Sequence, residues 1–226
     1  MESSSPSIFR SWINVLTQPG EEVFIQEGRN PNATLSTALM WMLVAGLVIA
    51  IVQILGIAIV GSTQLSAVME QLDSFDMPPQ QQAQFASALD FFFSPTGLIM
   101  IFVLTVVLTI VIFLLGVGLT HIVSKIFGGQ GTFGRTAYLQ SLFVAPLGIL
   151  LALFGMIPFI GICLSLIVII YNAILWFFST KAEHNLTMGK TVGVTIVTSI
   201  AMFSVFVCVS IAAGTVVAGM TGAMPQ

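Results

Sequence analysis

Two histidines, His121 and His184, and the carboxylate Glu183 are the side chains of this sequence best suited to metal or acid–base chemistry. Imidazole with carboxylate is a zinc donor set, but zinc sites on helices carry fixed spacings such as HExxH, and none occurs here. Histidines at helix ends, satisfied by water or backbone, are the expected arrangement, with no metal and no cofactor. The segment Gly129-Gln130-Gly131-Thr132-Phe133-Gly134 has the letters of a dinucleotide-binding fingerprint. That motif follows a strand, and an acidic residue about 20 positions later holds the ribose. Here the segment follows a long apolar run, and the next acid is Glu183. The structural reading is that Gly128 and Gly129 end one helix and Thr132 caps the next. Serines lack both a G-x-S-x-G elbow and an activating His or Asp within the apolar runs. Glu21 and Glu22 follow Pro19-Gly20 and suit the first turn of a helix, where acids complement the dipole. No catalytic residue is assigned, and no enzymatic activity is expected.

The elements that must position these groups follow from composition. Of 226 residues, 57% are hydrophobic and 7% charged, with a mean hydropathy of +1.05. A soluble domain carries roughly 25% charged residues. The solvent is therefore a bilayer. Six Lys and Arg at pI 5.1 form no basic stripe, which excludes nucleic acid as a partner. Two cysteines without repeated spacing build neither a disulfide framework nor a zinc site, and Cys163 and Cys208 are expected as buried thiols.

Every charged residue lies outside five apolar runs, at 35–60, 97–120, 137–156, 159–178 and 192–218. Each has at least the ~20 residues that a helix needs to cross ~30 Å of hydrocarbon. The sequence predicts an all-α polytopic membrane protein. Residues 1–34 form a cytoplasmic amphipathic leading segment, 35–218 the five-span membrane domain, and 219–226 a short non-cytoplasmic tail. Between Arg135 and Lys181 lie 45 uncharged residues, which as one helix would reach about 68 Å, so the chain must reverse. Gly155, Pro158 and Gly161 supply the turn, and Pro146 is read as a kink. With five spans, Arg10, Arg29, Lys125, Arg135, Lys181 and Lys190 share one side, whereas Glu70, Asp73, Asp76 and Asp90 fall in a loop on the other. A four-span arrangement would split the basic residues. The positive-inside rule then places the N-terminus in the cytoplasm and the C-terminus outside it.

Ile8, Phe9, Trp12, Ile13 and Leu16 share one face of a helix ending before Pro19, which either lies in the membrane interface or packs on the inner ends of the spans. A second amphipathic helix is predicted over 79–93, with Phe85, Leu89, Phe92 and Phe93 as its apolar stripe. The spans contain only neutral polar groups, among them Gln53, Thr105, Thr109, Thr195 and Ser204. These are expected to hydrogen-bond across helices, while Gly46, Ala50, Gly189 and Gly193 permit close approach. Ion-coupled transporters place ionisable groups in their spans, which this chain does not.

Three stretches carry a family resemblance: Trp12-Ile13-Asn14-Val15-Leu16-Thr17-Gln18-Pro19 with Val23-Phe24; Phe127-Gly128-Gly129-Gln130-Gly131-Thr132-Phe133, continuing to Ala145-Pro146, Ile157-Pro158-Phe159-Ile160-Gly161 and Tyr171; and Glu183-His184-Asn185-Leu186-Thr187-Met188-Gly189-Lys190. In these the chain resembles the Yip (Ypt/Rab-interacting protein) domain family in its short prokaryotic-type form. The resemblance implies five spans, a cytoplasmic N-terminus and a prokaryotic cell membrane. Eukaryotic members work with prenylated small GTPases, but this chain lacks their long polar N-terminal region, so a GTPase partner is not expected. The partners expected are the lipid bilayer and, as oligomer or complex, a second copy or other membrane proteins. The role expected is a non-enzymatic scaffold, with a permease or channel for a neutral or lipid-like solute as the alternative. A recognition surface, if the chain has one, is expected on the inner face at His121, Lys125, Gly128, Gly129, Gly131, Arg135, Glu183, His184 and Lys190; the competing reading is that these residues anchor helix ends at the headgroups.

Overall fold

The computed structural model describes residues 8–74, 78–157 and 160–222. Eight helices account for nearly all of them: α1 (Ile8–Thr17), α2 (Glu21–Gly28), α3 (Leu35–Ser74), α4 (Pro79–Phe93), α5 (Pro95–Ile126), α6 (Phe133–Gly155), α7 (Ile160–His184) and α8 (Met188–Gly222). No strand occurs among the described residues. Five helices, α3 and α5 to α8, contain stretches long and apolar enough to span a membrane. The protein is an integral membrane protein with an all-α bundle.

Helix α6 is the centre of this bundle. It packs against α3 and α7 over most of its length, and α5, α1 and α2 also touch it. Its residues Ala137, Tyr138, Leu139, Leu142, Phe143 and Ala145 are all buried. One apolar cluster joins Tyr138, Leu139, Leu142 and Phe143 to Val15 of α1, Phe24 of α2, Trp41 of α3 and Leu175 of α7, so the two short helices are rooted in the core. Lipid tails are as apolar as leucine, so close packing and interhelical hydrogen bonds hold such helices together. The small residues show where. A Cβ on Gly46 would lie 3.5 Å from Val106 Cα, and one on Gly148 would lie 3.2 Å from Ile49 Cδ1. Pro146 sits inside α6 without ending it.

The turns are built as their residues dictate. Ser94 ends α4 and caps α5, donating to Phe91 O at 2.6 Å and accepting from the Gly97 N–H at 3.1 Å. Pro95 then takes a first-turn position of α5, where no amide donor is needed. At the α6–α7 reversal, the Ile157 amide donates to Phe154 O and the Gly161 amide to Ile157 O. A Cβ on Gly161 would fall 2.0 Å from Phe154 O, whereas one on Gly155 would meet nothing within 4 Å. Gly161 is thus the glycine that the reversal requires. Pro158, the other residue expected to set this turn, lies outside the described residues.

Several expectations are corrected. The segment after the first span is not simply a loop: α3 stays helical to Ser74, and α4 covers the predicted 79–93. Asp76 lies outside the described residues. The spanning helices run past the apolar runs, because a helix continues through flanking polar residues while its backbone bonds remain available. Cys163 and Cys208 are exposed, not buried. Of the polar groups expected to bridge helices, Thr105 does so, donating to Gln53 Oε1 at 2.8 Å. Thr109, Thr195 and Ser204 donate to carbonyls one turn back on their own helices instead. Gly193 meets the Phe127 ring, but Gly189 stands in open space.

Candidate functional site

The end of the bundle that carries α1 and α2 also gathers the two glycine- and histidine-bearing motifs. Helix α5 closes there by a Schellman motif: the Gly128 amide donates to Lys125 O at 3.0 Å and the Gly129 amide to Ser124 O at 2.8 Å. Gly128 has φ +87°, the left-handed conformation this motif demands of its glycine. Helix α7 ends alongside, with Asn185 at φ 49°. Asparagine is among the few non-glycine residues that adopt this region readily.

The two helix ends interlock. The Gln130 amide donates to His184 O at 3.1 Å. A Cβ on Gly129 would fall 2.9 Å from His184 Nδ1, and one on Gly131 only 2.8 Å from both that atom and Glu183 Cγ. Both glycines let the loop backbone lie directly against the α7 terminus. Thr132 occupies the N-cap position of α6, but its side chain makes no cap hydrogen bond. The expected threonine cap is replaced by a carboxylate from another helix: Glu183 Oε1 accepts from the Thr132 amide at 2.8 Å. Glu183 Oε2 faces Arg135 Nε at 3.3 Å. A carboxylate at a helix N-terminus satisfies an orphan donor and complements the dipole.

His184 is fully buried, and its Nε2 lies 3.1 Å from Thr136 Oγ1. Thr136 already donates its own hydroxyl hydrogen to Thr132 O at 2.8 Å. That donation leaves the Thr136 oxygen free to accept from His184 in its Nε2–H tautomer, in which Nδ1 carries the lone pair. The His121 ring stands 5.4 Å from the His184 ring, centroid to centroid, so the two rings are neighbours. His121 also packs edge-on against Phe133. Their Nδ1 atoms are both buried without hydrogen-bond partners, and no group of three or more metal-ligating side chains occurs among the described residues.

The nine candidate residues therefore divide. Gly129, Gly131, Glu183 and His184 are buried in the joint, and His121 borders it half-buried. Lys125, Lys190, Gly128 and the Arg135 side chain are exposed around it. Sequence reasoning missed three partners of this end: Thr136, which hydrogen-bonds the buried His184 ring; Tyr171, whose hydroxyl donates to Leu16 O at 2.7 Å; and Lys181, which pairs with Glu21. Polar residues one helical turn apart, Thr132, Thr136 and Gln140, were the available signal for the first of these.

A five-helix membrane bundle whose basic end is tied together by motif-bearing loops is the class that this fold defines. The sequence model of the Yip1 domain matches residues 13–210, and the chain belongs to that family. No curated protein and no solved structure matches it. Parts of all three motif stretches that carried the resemblance meet at this end: the second and third through the 128–132 loop and the end of α7, the first through Val15, Phe24 and the Tyr171 bond; Gly161 of the second stands at the α6–α7 reversal instead.

Proposed function

We propose that the protein is a non-enzymatic scaffold that organises the membrane through helix and lipid contacts, with its N-terminus and basic end in the cytoplasm of a prokaryotic cell. One observation carries this reading: the way in which α1 is held. Ser11 and Val15 bury one edge of α1 in the bundle, while Phe9 and Ile13, on its flank, stay 70% and 58% exposed. Both readings of the amphipathic segment thus find support, since one face packs on the bundle and the adjoining apolar flank is free to enter the headgroup region. A wedge of this kind, anchored to five spans, transmits its insertion to the surrounding lipid. Lys125, Lys190 and Arg135 form the rim through which a partner membrane protein or second copy would be recognised; a small GTPase is not part of this proposal.

Reconstitution into liposomes tests the reading. The wild type should change vesicle diameter without solute flux, and Phe9→Ser with Ile13→Ser should abolish that change while insertion persists. Protein-dependent solute or lipid flux would instead establish the permease alternative. One observation favours that alternative: cavities of about 500 and 420 Å³ share Ile49, Gln53 and Gly148 as lining residues within the bundle.

A further inference from the structure

Between α1, the α2–α3 connection, α3 and α6 lies a separate cavity of about 260 Å³. Its lining is uncharged and mixed: the polar residues Ser11, Asn30, Asn32, Thr37 and Tyr138 stand beside Met40 and Trp41. Trp41 is 5% exposed, and its indole N–H is buried without an acceptor. A buried donor in that state is costly unless a ligand supplies the acceptor. Asn30 Oδ1 accepts from the Asn32 amide at 2.9 Å, which orients the Asn30 side chain and directs Nδ2 to the Tyr138 hydroxyl at 3.4 Å. Tyr138 in turn reaches Glu27 Oε2 at 3.4 Å. Both contacts are longer than good hydrogen bonds of ~2.7–3.2 Å, so these groups retain capacity for a further partner.

The position of the cavity narrows the ligand. The apolar stretch of α3 begins at Leu35, so Thr37 and Trp41 lie in its first two turns, at headgroup depth. Met40, which also lines the cavity, starts an exposed apolar stripe continuing through Leu43, Val44, Leu47, Ile51 and Leu55, each 38% to 51% exposed. Steps of three and four residues keep this stripe on one side of the helix for about 22 Å, enough to accompany an acyl chain through its leaflet. A phosphate is disfavoured inside the cavity, because the Glu27 carboxylate lies behind Tyr138 and no cation lines the wall. Hydroxyl groups, which both donate and accept, match this mixed set of lining groups.

We infer that this cavity binds the uncharged, polyhydroxylated headgroup of a membrane lipid, whose chains lie along the α3 stripe. The inference deepens the lipid-contact reading and rests on it. The test uses the full-length protein in detergent micelles and native mass spectrometry. The probes are a hexosyl-diacylglycerol and a phosphatidylcholine with the same acyl chains, with methyl hexoside as soluble competitor. The hexosyl lipid should be retained about tenfold over phosphatidylcholine, and Asn30→Leu or Thr37→Val should bring the ratio near one, as expected for loss of one or two hydrogen bonds. Total lipid bound should not change in either variant, and Thr37→Val, which gives up only its contact with the Thr34 hydroxyl at 3.0 Å, should shift the melting temperature little. Thr37→Val, a near-isosteric change at a half-buried site, keeps the test valid if Asn30→Leu fails to fold. Equal retention of both lipids by the wild type, or a preference that survives in Thr37→Val, would overturn the site. Equally effective competition by free methyl hexoside would overturn the lipid-borne source. Failure here with bulk lipid binding intact removes the cavity site alone, whereas flux in the liposome experiment removes the scaffold reading.

Discussion

Gly131 and Gly189 belong to the two motif stretches that meet at the basic end, yet a methyl group added to each encounters opposite surroundings. At Gly131 it would press on Glu183 and His184 at 2.8 Å, and at Gly189 it would meet nothing within 4 Å. Gly131→Ala should therefore cost about 1–3 kcal/mol, the usual range for overpacking. Gly189→Ala, within the first turn of α8, should be neutral or slightly stabilising, since alanine is the better helix former. Thermal unfolding of both variants in the same detergent checks the contrast, and a Gly131→Ala midpoint equal to wild type would show that the joint is loose. The buried and exposed halves of the candidate site differ in the same way. Glu183→Gln keeps an acceptor for the Thr132 amide but gives up the charge that faces Arg135, so a loss of about 1 kcal/mol is expected. Lys125→Gln with Lys190→Gln removes only exposed charges and should leave the melting midpoint unchanged. If this rim recognises a partner, complementation fails in the double lysine variant although the protein stays folded; wild-type complementation would assign those lysines to anchoring at the headgroups.

At the scale of elements, the α6–α7 reversal and the docking of α1 give the sharpest tests. Gly161→Leu would place side-chain atoms where Phe154 O already stands and should abolish expression of folded protein, while Gly155→Leu should be tolerated. Comparable yields of monodisperse protein from the two would mean that the turn is set by packing elsewhere. Tyr171→Phe deletes the bond to Leu16 O and should weaken α1 docking by about 1 kcal/mol, seen as faster proteolysis between α1 and α2. How far such elements were legible in the sequence depends on how local their causes are. The helix at 79–93, the end of α1 before Pro19 and the glycine stop of α5 follow from signals within a few residues, and the sequence showed them. The carboxylate cap on α6 was not legible, because Glu183 reaches Thr132 across 51 positions of chain. Nor was the buried state of His184, whose partner Thr136 lies 48 positions away. Cys163 and Cys208 misled for the converse reason: in a membrane an apolar residue gains little by turning inward, so hydropathy does not tell the core from the lipid-facing surface.

For the whole molecule, the arrangement of charge sets the orientation proposed here. Arg10, Arg29, Lys125, Arg135, Lys181 and Lys190 all belong to the end where α5 and α7 finish and α6 and α8 begin, while Asp90 lies on α4 at the opposite end. A charged side chain at the bilayer centre costs about 2.5–3.5 kcal/mol, so each lysine or arginine left on the translocated side adds an obstacle during insertion. Labelling with an impermeant thiol reagent on intact cells reads the outcome. The background must lack Cys163 and Cys208, because both thiols are exposed on the bundle surface. Three single cysteines then report: Gln81→Cys on α4, Gln130→Cys in the loop between α5 and α6, and Asn185→Cys at the end of α7, all at exposed positions. Gln81→Cys should label from outside, and the other two only after the cells are opened. Asn185→Cys is the strictest of the three, for Asn185 holds a left-handed backbone that cysteine adopts less readily; its folding is confirmed by size-exclusion profile before labelling. Labelling of Gln130→Cys and Asn185→Cys in intact cells, with Gln81→Cys protected, would invert the molecule and place the headgroup cavity and the histidine joint on the outer surface.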